Sequence, residues 1–147
     1  CINASQFDRK VAFEDLPTGG SMIVVGKQRD LLKELSLNFM EFFIDESCGS
    51  CVTCRAFGVI AKKKLEKLIA GNGIKQDIAD LEEMEKIMKD TTRCGLGQTA
   101  INPIATTIAN FRDLYDKLAK DVDYHSEFDM AAAVADSCEY VGRKPNL

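Results

Sequence analysis

Residues 47–55 read Ser-Cys-Gly-Ser-Cys-Val-Thr-Cys-Arg, and residues 93–99 read Arg-Cys-Gly-Leu-Gly-Gln-Thr. The first stretch spaces three cysteines two residues apart, and the second supplies a fourth cysteine 40 residues after the third. Apolar residues on either side of these stretches recur at steps of three and four, which is the period of amphipathic helices. The sequence therefore predicts a mainly helical fold that carries a four-cysteine site.

The four cysteines predict an iron–sulfur cluster and a role in electron transfer. A [4Fe–4S] cluster is held by four cysteine thiolates, and a repeated Cys-x-x-Cys step wraps three of them around one side of the cube. Glycines beside the cysteines let the backbone approach closely, because they lack a Cβ atom. The predicted ligands are Cys48, Cys51, Cys54 and Cys94.

Other interpretations of the cysteines stay open at this point. Zinc also takes four thiolates, usually as two pairs, and would make the chain a zinc-stapled, non-catalytic docking module. The only histidine, His125, is far from the cysteine run in sequence. A disulfide framework is typical of small secreted chains with more than about 8% cysteine, and here six of 147 residues are cysteines. Unliganded buried cysteines would not be expected to cluster in this way.

Composition restricts the partners. The formal net charge is −4, and no basic run suggests binding to nucleic acid. We interpret Lys62-Lys63-Lys64 with Lys67 as a solvent-exposed helix face. No apolar run approaches the roughly 20 residues of a membrane-spanning helix, so we predict no direct membrane insertion.

The location of the protein follows from its cysteines: free thiol ligands favour a reducing, cytoplasmic location. Because the chain begins with Cys1, we expect a fragment of a longer protein.

The pattern divides the chain into three parts. In residues 1–27, the run Met22-Ile23-Val24-Val25 follows a Gly-Gly turn and predicts a buried strand at the end of an α/β domain. Residues 28–120 predict a bundle of four helices, and residues 121–147 a C-terminal extension with a short helix. The predicted helices span about 28–45, 55–70, 78–90 with Asp77 as N-cap, 103–118 and 129–141.

The inward-facing residues follow from the same period. Methionines and phenylalanines on these stripes are interpreted as core and not as a cofactor site. The residues predicted to face inward are Leu31, Leu32, Leu35, Phe39, Met40, Phe42, Phe43, Phe57, Ile60, Ala61, Leu65, Leu68, Ile69, Ile78, Leu81, Met84, Ile87, Met88, Ile104, Ile108, Phe111, Leu114, Tyr115 and Leu118.

Three stretches together resemble a known family. They are Glu-Ser-Cys-Gly-x-Cys-x-x-Cys-Arg at 46–55, Ile-Ala-Gly-x-Gly at 69–73 and Cys-Gly-Leu-Gly-Gln-Thr-Ala at 94–100. They resemble the flavoprotein subunit of NADH dehydrogenase, the NADH-binding subunit of respiratory complex I. Its relatives include the diaphorase subunit of cytosolic NAD-reducing nickel–iron hydrogenases and a subunit of NAD-dependent formate dehydrogenases. The resemblance covers about residues 1–120.

The resemblance carries expectations for fold and site. Residues 1–27 would be the end of a ubiquitin-like domain, and residues 28–120 a four-helix bundle that binds one [4Fe–4S] cluster. FMN and NAD(P) would bind to an upstream domain of the same subunit, so this segment alone would not oxidise NADH. Gly95 and Leu96 would lie on the flavin side of the cluster. Other iron–sulfur subunits of a multi-subunit oxidoreductase would be the further partners.

Some residues depart from the family pattern. Phe57 stands where family members usually have glycine, and Ile101 replaces a small residue or proline. The tail beyond residue 120 resembles that of the cytosolic hydrogenase diaphorase subunits more than complex I. We therefore expect the diaphorase side of an NAD-reducing hydrogenase, with the complex I or formate dehydrogenase subunit as the alternative.

Secondary features of the site are also predicted. The backbone N–H groups of Gly49, Ser50 and Gly95 are candidate hydrogen-bond donors to cluster sulfurs. Arg55 and Arg93 flank ligands and would either favour the reduced cluster or form surface ion pairs. Cys1 and Cys138 are interpreted as incidental thiols, and His125 as an exposed loop residue.

Overall fold

The computed structural model of this chain describes residues 1–12, 14, 20–122 and 130–144. Within these ranges the chain is mainly helical, as predicted, and forms no strand. A short 3₁₀ turn, Ala4–Gln6, precedes the main helices. A π-helical turn, Leu31–Ser36, leads into the first α-helix. The α-helices are α1 Leu37–Asp45, α2 Val52–Ile69, α3 Lys75–Thr91, α4 Gly95–Thr99, α5 Asn102–Asn110, α6 Arg112–Leu118 and α7 Met130–Tyr140.

One apolar core joins the helices from residue 31 to residue 118. The α2 helix packs against both α1 and α3, and α5 packs against α3 and the π-helical turn. Burial of this apolar surface is the main stabilising contribution to such a fold. The buried core residues are Leu32, Met40, Ala61, Leu65, Leu68, Ile78, Leu81, Met88, Ala100, Ile101, Ile104, Ile108 and Tyr115. Ile101, which departs from the family pattern, is thus a fully buried core residue, and Phe57 packs against this core.

The first helix begins later than predicted. Asp30 is its N-cap, and the carboxylate of Asp30 accepts hydrogen bonds from the backbone N–H groups of Leu32 and Lys33, both at 3.0 Å. This cap satisfies donors that the first helical turn leaves free, so the helix starts at Leu31 and not near Gln28.

The prediction of Asp77 as an N-cap is wrong, because α3 begins at Lys75 with Ile74 in the cap position. The carboxylate of Asp77 instead accepts hydrogen bonds from Nζ of Lys64 at 2.8 Å and from Nζ of Lys67 at 2.7 Å. It also accepts the backbone N–H of Ile74 at 3.0 Å. Two lysines that we expected to lie in solvent therefore bind α2 to α3 through a carboxylate that is 4% exposed.

The predicted fourth helix is divided into α5 and α6 at Phe111, whose backbone leaves the helical region with φ −139° and ψ 43°. Pro103 lies in the first turn of α5, as predicted. The hydroxyl groups of Thr107 and Tyr115 lie 2.6 Å apart. Residues eight apart are separated by about 12 Å along a straight helix, so this buried contact goes together with the break.

The strand predicted at residues 22–25 is wrong. These residues form no regular structure, and the exposed fractions of Met22, Ile23 and Val24 are 88%, 64% and 79%. A strand needs a neighbouring strand to pair its backbone groups, and the described residues contain only an isolated bridge between Ile74 and Lys120.

Three further residues predicted to face inward are instead exposed. Phe42 is 53% exposed, Ile60 39% and Leu114 38%. The predicted stripes are too wide, because each helix buries only the part of its apolar face that meets a neighbour.

The ends of the remaining helices also differ from the prediction. The α2 helix starts at Val52, three residues early, and the Cys94 loop contains the short helix α4. The helix of the tail, α7, is confirmed over Met130–Tyr140.

Every helix in the described ranges is too short or too polar to cross a lipid bilayer.

Candidate metal centre

The three closely spaced cysteines occupy the junction between α1 and α2. Cys48 lies in the loop that follows α1, Cys51 is the N-cap residue of α2, and Cys54 is the third residue of α2. The backbone of Cys51 is extended, with φ −83° and ψ 125°, and its carbonyl accepts the N–H of Arg55 at 3.0 Å. Because α2 has 18 residues, the free N–H groups and positive dipole end of a long helix favour negative charge at this point.

Cys94 comes to the same place from the end of α3. It is the N-cap residue of α4, with φ −124° and ψ 161°. Cys48 and Cys94 are exposed, Cys51 and Cys54 are half-buried, and all six cysteines of the chain are free thiols.

All four predicted ligands line one cavity of about 140 Å³. A cavity of about 150 Å³ holds a guest as large as benzene, whereas one water takes about 30 Å³ of liquid volume. In the described ranges, no three Cys, His, Asp or Glu side chains are gathered closely enough to hold a single metal ion. The full lining is Glu46, Ser47, Cys48, Ser50, Cys51, Cys54, Cys94 and Leu96.

Four soft thiol donors around a cavity of this size suit an iron–sulfur cluster chemically. Cysteine thiolates are the ligands that such clusters take, four for a [4Fe–4S] cube. The donor set and the room therefore fit a compact polynuclear group.

The loop between α1 and α2, residues 46–51, is called the cysteine loop and is held by its own polar contacts. Gly49 has φ +71°, a left-handed conformation that residues with a side chain rarely adopt. Its N–H donates to Oγ of Ser47 at 3.2 Å, and its carbonyl accepts from Nη1 of Arg55 at 2.6 Å. Oγ of Ser47 also lies 3.3 Å from Sγ of Cys54.

The Cys94 loop is anchored to α3 and α2. The hydroxyl of Thr92 donates to the carbonyl of Met88 at 2.7 Å, and the side-chain amide of Gln98 donates to the carbonyl of Thr92 at 3.2 Å. A Cβ atom on Gly97 would lie 2.8 Å from Cβ of Thr92, so this close approach requires glycine. One residue earlier, Thr91 donates to the hydroxyl of Thr53 on α2 at 2.9 Å.

The predicted hydrogen-bond donors need one correction. The N–H of Gly49 is directed to Ser47 and not to a sulfur, and the group beside a cysteine sulfur is the Ser47 hydroxyl. We missed Ser47 in the sequence, although a signal was present. A serine two residues before a glycine is typical of a turn in which the hydroxyl accepts the second N–H along the chain.

Neither of the two arginines beside the ligands forms an ion pair within the described residues, and their effect on the reduced cluster stays a prediction. The guanidinium of Arg55 donates to the carbonyl of Gly49 and so closes the cysteine loop. Arg93 is exposed next to Cys94.

The remaining predicted site residues lie at or outside the cavity. Leu96 lines it, half-buried, and Gly95 is exposed at the first position of α4. Cys1 is exposed and Cys138 lies on α7, neither in the cavity lining. His125 is outside the described residues.

A second cavity, of about 230 Å³, adjoins the cysteine cavity. Ser47 and Cys54 line both cavities, and the second is completed by Ile44, Gly49, Arg55 and Val59.

Known proteins share this segment. The chain is 40% identical over 116 residues to the NAD-reducing hydrogenase HoxS subunit alpha of Cupriavidus necator, covering 78% of this chain and 19% of that protein. It is 28% identical to an NADH-quinone oxidoreductase subunit of Aquifex aeolicus, covering 82% of this chain and 28% of that protein. The chain thus spans less than a third of the length of these relatives.

A solved structure matches over nearly the whole chain. A crystal structure of NAD⁺-reducing [NiFe]-hydrogenase in the H₂-reduced state superposes with a TM-score of 0.75 at 31% identity. The match covers 98% of this chain and 25% of that one.

A family model described as the NADH-ubiquinone oxidoreductase-F iron-sulfur binding region matches residues 34–118, which is more than half of the chain. The chain therefore belongs to the family of NADH-ubiquinone oxidoreductase-F iron–sulfur binding regions.

Proposed function

We propose that this chain is the electron-transfer segment of an NAD(P)H-linked flavin and iron–sulfur oxidoreductase. In this proposal one [4Fe–4S] cluster, bound by Cys48, Cys51, Cys54 and Cys94, relays single electrons between FMN and clusters further along. The observation that carries the proposal is the placement of these four cysteines, from two distant stretches of sequence, around one cavity. Membership of an iron–sulfur binding family supports it.

The chain itself supplies position and electrostatics. A cluster of this kind, when bound, accepts and releases one electron at a time, at a potential set by its surroundings. The N-terminus of α2 favours the negative charge of thiolates. Thr92 and Gly97 hold Cys94 opposite the cysteine run, and Leu96 covers part of the cavity with an apolar side chain.

We assign the three parts of the chain in the same way. Residues 1–27 are proposed as the end of a ubiquitin-like domain, 28–120 as a four-helix bundle and 121–147 as an extension. The family match at residues 34–118 lies within the middle part. FMN and NAD(P) would bind upstream in the same subunit, with Gly95 and Leu96 facing the flavin. The other proposed partners are further iron–sulfur subunits, and we propose no binding to nucleic acid. We also propose that the chain does not insert directly into a membrane and that it works in the cytoplasm.

Within the family, we favour the diaphorase side of a cytosolic NAD-reducing hydrogenase. The higher identity to the HoxS subunit, 40% against 28% to 34% for NADH-quinone oxidoreductase F subunits of Aquifex aeolicus and Rickettsia bellii, supports this choice. The complex I or formate dehydrogenase flavoprotein subunit is the alternative.

Serine substitution of single cysteines tests the ligand set. We expect the full chain, purified anaerobically, to hold about four irons and four sulfides, and each of C48S, C51S, C54S and C94S to lower that content severalfold. C138S is the matched control and should keep the native content, because Cys138 lies on α7 outside the cavity lining. Full iron and sulfide content in any two of the four variants would contradict the assignment.

A further inference from the structure

The hydroxyl group of Ser47 lies 3.3 Å from Sγ of Cys54 and is part of no function assigned so far. We propose that Ser47 is a positioning residue that raises the reduction potential of the cluster by donating a hydrogen bond to the sulfur of Cys54. This inference rests on the proposed function, since it requires that Cys54 ligates an iron–sulfur cluster.

The direction of the hydrogen bond follows from the groups around Ser47. A hydroxyl has one proton to donate and two lone pairs that accept. The N–H of Gly49 already donates to Oγ of Ser47 at 3.2 Å, which occupies an acceptor position of that oxygen. A thiolate bound to iron has no proton to give. The Ser47 hydroxyl is therefore the donor, and the sulfur of Cys54 is the acceptor.

The local backbone holds the hydroxyl in place. Ser47 and Gly49 form a tight turn in which the Gly49 N–H fixes the position of Oγ, and Gly49 takes the left-handed conformation with φ +71°. The carbonyl of Gly49 is held in turn by the guanidinium of Arg55 at 2.6 Å. Because Arg55 directly follows Cys54 in α2, its contact with Gly49 ties the loop that carries the donor to the helix that carries the acceptor. Ser47 is half-buried, which strengthens such a bond relative to one in bulk water.

The effect on the potential has a definite sign. Reduction adds one electron and hence one negative charge to the cluster and its sulfurs. In a redox titration of the protein the electron comes from dithionite, and in the proposed function it comes from reduced flavin. A hydrogen bond to sulfur stabilises the more negative, reduced state more than the oxidised state. Loss of the Ser47 hydroxyl should therefore lower the potential.

The test is a redox titration of the full chain, monitored by electron paramagnetic resonance, with iron and sulfide measured on each sample. Two variants, S47A and S47G, remove the hydroxyl, and S47T keeps it. S137A is the matched control, because it removes the hydroxyl of an exposed serine on α7, outside the cavity lining. At a fixed solution potential, we expect the ratio of reduced to oxidised cluster to fall severalfold in S47A and S47G. A tenfold fall corresponds to 59 mV for a one-electron couple.

The controls and the contrary outcomes are distinct. S47T and S137A should keep the native ratio within about twofold, because S47T retains the donor and Ser137 lies outside the cavity lining. Native ratios in fully loaded S47A and S47G would overturn the role of Ser47 and leave the proposed function intact. If only the hydroxyl-bearing variants bind iron, the hydroxyl is needed to build the site, and the role in setting the potential is wrong. Zinc in place of iron would overturn both proposals.

Discussion

The packed interior and the cysteine cavity are built from the same helices but treat their side chains in opposite ways. In the interior, Leu65, Leu81 and Met88 are fully buried and pack on one another's helices. At the cavity, Cys48 and Cys94 are exposed, and the lining also includes the polar residues Glu46, Ser47 and Ser50. The side chains of the interior pack against one another, whereas four cysteine thiols line one cavity.

This difference separates what stabilises the fold from what gives it a function. Burial of apolar side chains in the interior needs only the chain itself. The cysteine loop and the Cys94 loop around the cavity are held by a few hydrogen bonds. We therefore expect substitutions in the interior to lower the free energy of unfolding, and substitutions at the cavity to change metal content.

The largest loss of stability is expected in the interior. L81A removes most of a side chain that is 0% exposed and should lower the free energy of unfolding by about 2–5 kcal/mol, because it leaves a cavity. V24A truncates a side chain that is 79% exposed and should change it by less than about 0.5 kcal/mol. Urea unfolding of both variants measures the contrast. Equal losses would show that the segment at residues 22–25 is packed against something in solution.

The next largest effect is expected at the charge cluster between α2 and α3. D77N weakens the contacts with Lys64 and Lys67 and should cost about 1.5–3 kcal/mol at pH 7. D90N, at the exposed end of the same helix, should change stability by less than about 0.5 kcal/mol. A stability loss in D90N as large as that in D77N would contradict the assigned role of the buried carboxylate.

The contribution of Asp77 should depend on pH. Burial raises its pKa, but hydrogen bonds from Lys64, Lys67 and the N–H of Ile74 outweigh burial and hold the pKa below its ordinary value. The stabilisation is therefore present above the unfolded-state pKa of about 3.9 and is lost as the pH falls below it. The free energies of unfolding of the native chain and of D77N, measured as a function of pH, should converge in that acid range. A constant difference would contradict this origin.

The boundary between the two regions can be tested at Gly97. G97A places a Cβ atom 2.8 Å from Cβ of Thr92, which should cost about 1–3 kcal/mol and displace the loop that carries Cys94. The control is G95A, because a Cβ atom there meets nothing within 4 Å. Stability and iron content should fall together in G97A. Native iron content in a destabilised G97A would show that the position of Cys94 is independent of this contact.

The smallest effect is expected for the buried hydroxyl of Tyr115. Y115F removes the hydrogen bond with Thr107 and should cost about 0.5–1.5 kcal/mol, while Y140F, at a residue that is 93% exposed, should cost nothing measurable.

Tyr115 also predicts an alkaline limit. Burial raises the pKa of Tyr115 to about 12, against the opposing effect of the hydrogen bonds from Thr107 and Ser36. The native chain should lose stability as the pH rises from about 10, where the unfolded phenol ionises, toward 12. Y115F should lack this part of the loss, and an identical alkaline profile would contradict the assignment.

Much of the helical architecture could be predicted from the sequence, but its junctions could not. The period of apolar residues places α2 and α3 because each of them buries one face, and the alanine-rich composition of the tail indicated α7. The ends depend on contacts between distant residues: Asp77 is held by Lys64 and Lys67, and the break at Phe111 accompanies the contact between Thr107 and Tyr115. The run at residues 22–25 has the composition of a strand but no strand beside it in the described structure, and composition cannot supply that partner.

The candidate site shows the same division. Cysteine spacing pointed to the four residues that the structure places around one cavity. It did not show that the N–H of Gly49 is directed to Ser47, or that Ser47 lies against Cys54, since both depend on the left-handed turn at Gly49. The roles of the four thiols as ligands and of Gly95 and Leu96 beside a flavin stay predictions.

The most direct test of the central claim is low-temperature electron paramagnetic resonance of the anaerobically purified, dithionite-reduced protein, with iron, sulfide and zinc measured on the same sample. We predict the signal of a reduced [4Fe–4S] cluster with about four irons per chain. No signal together with one zinc per chain would contradict this claim, and would make the four cysteines a structural staple of the helices.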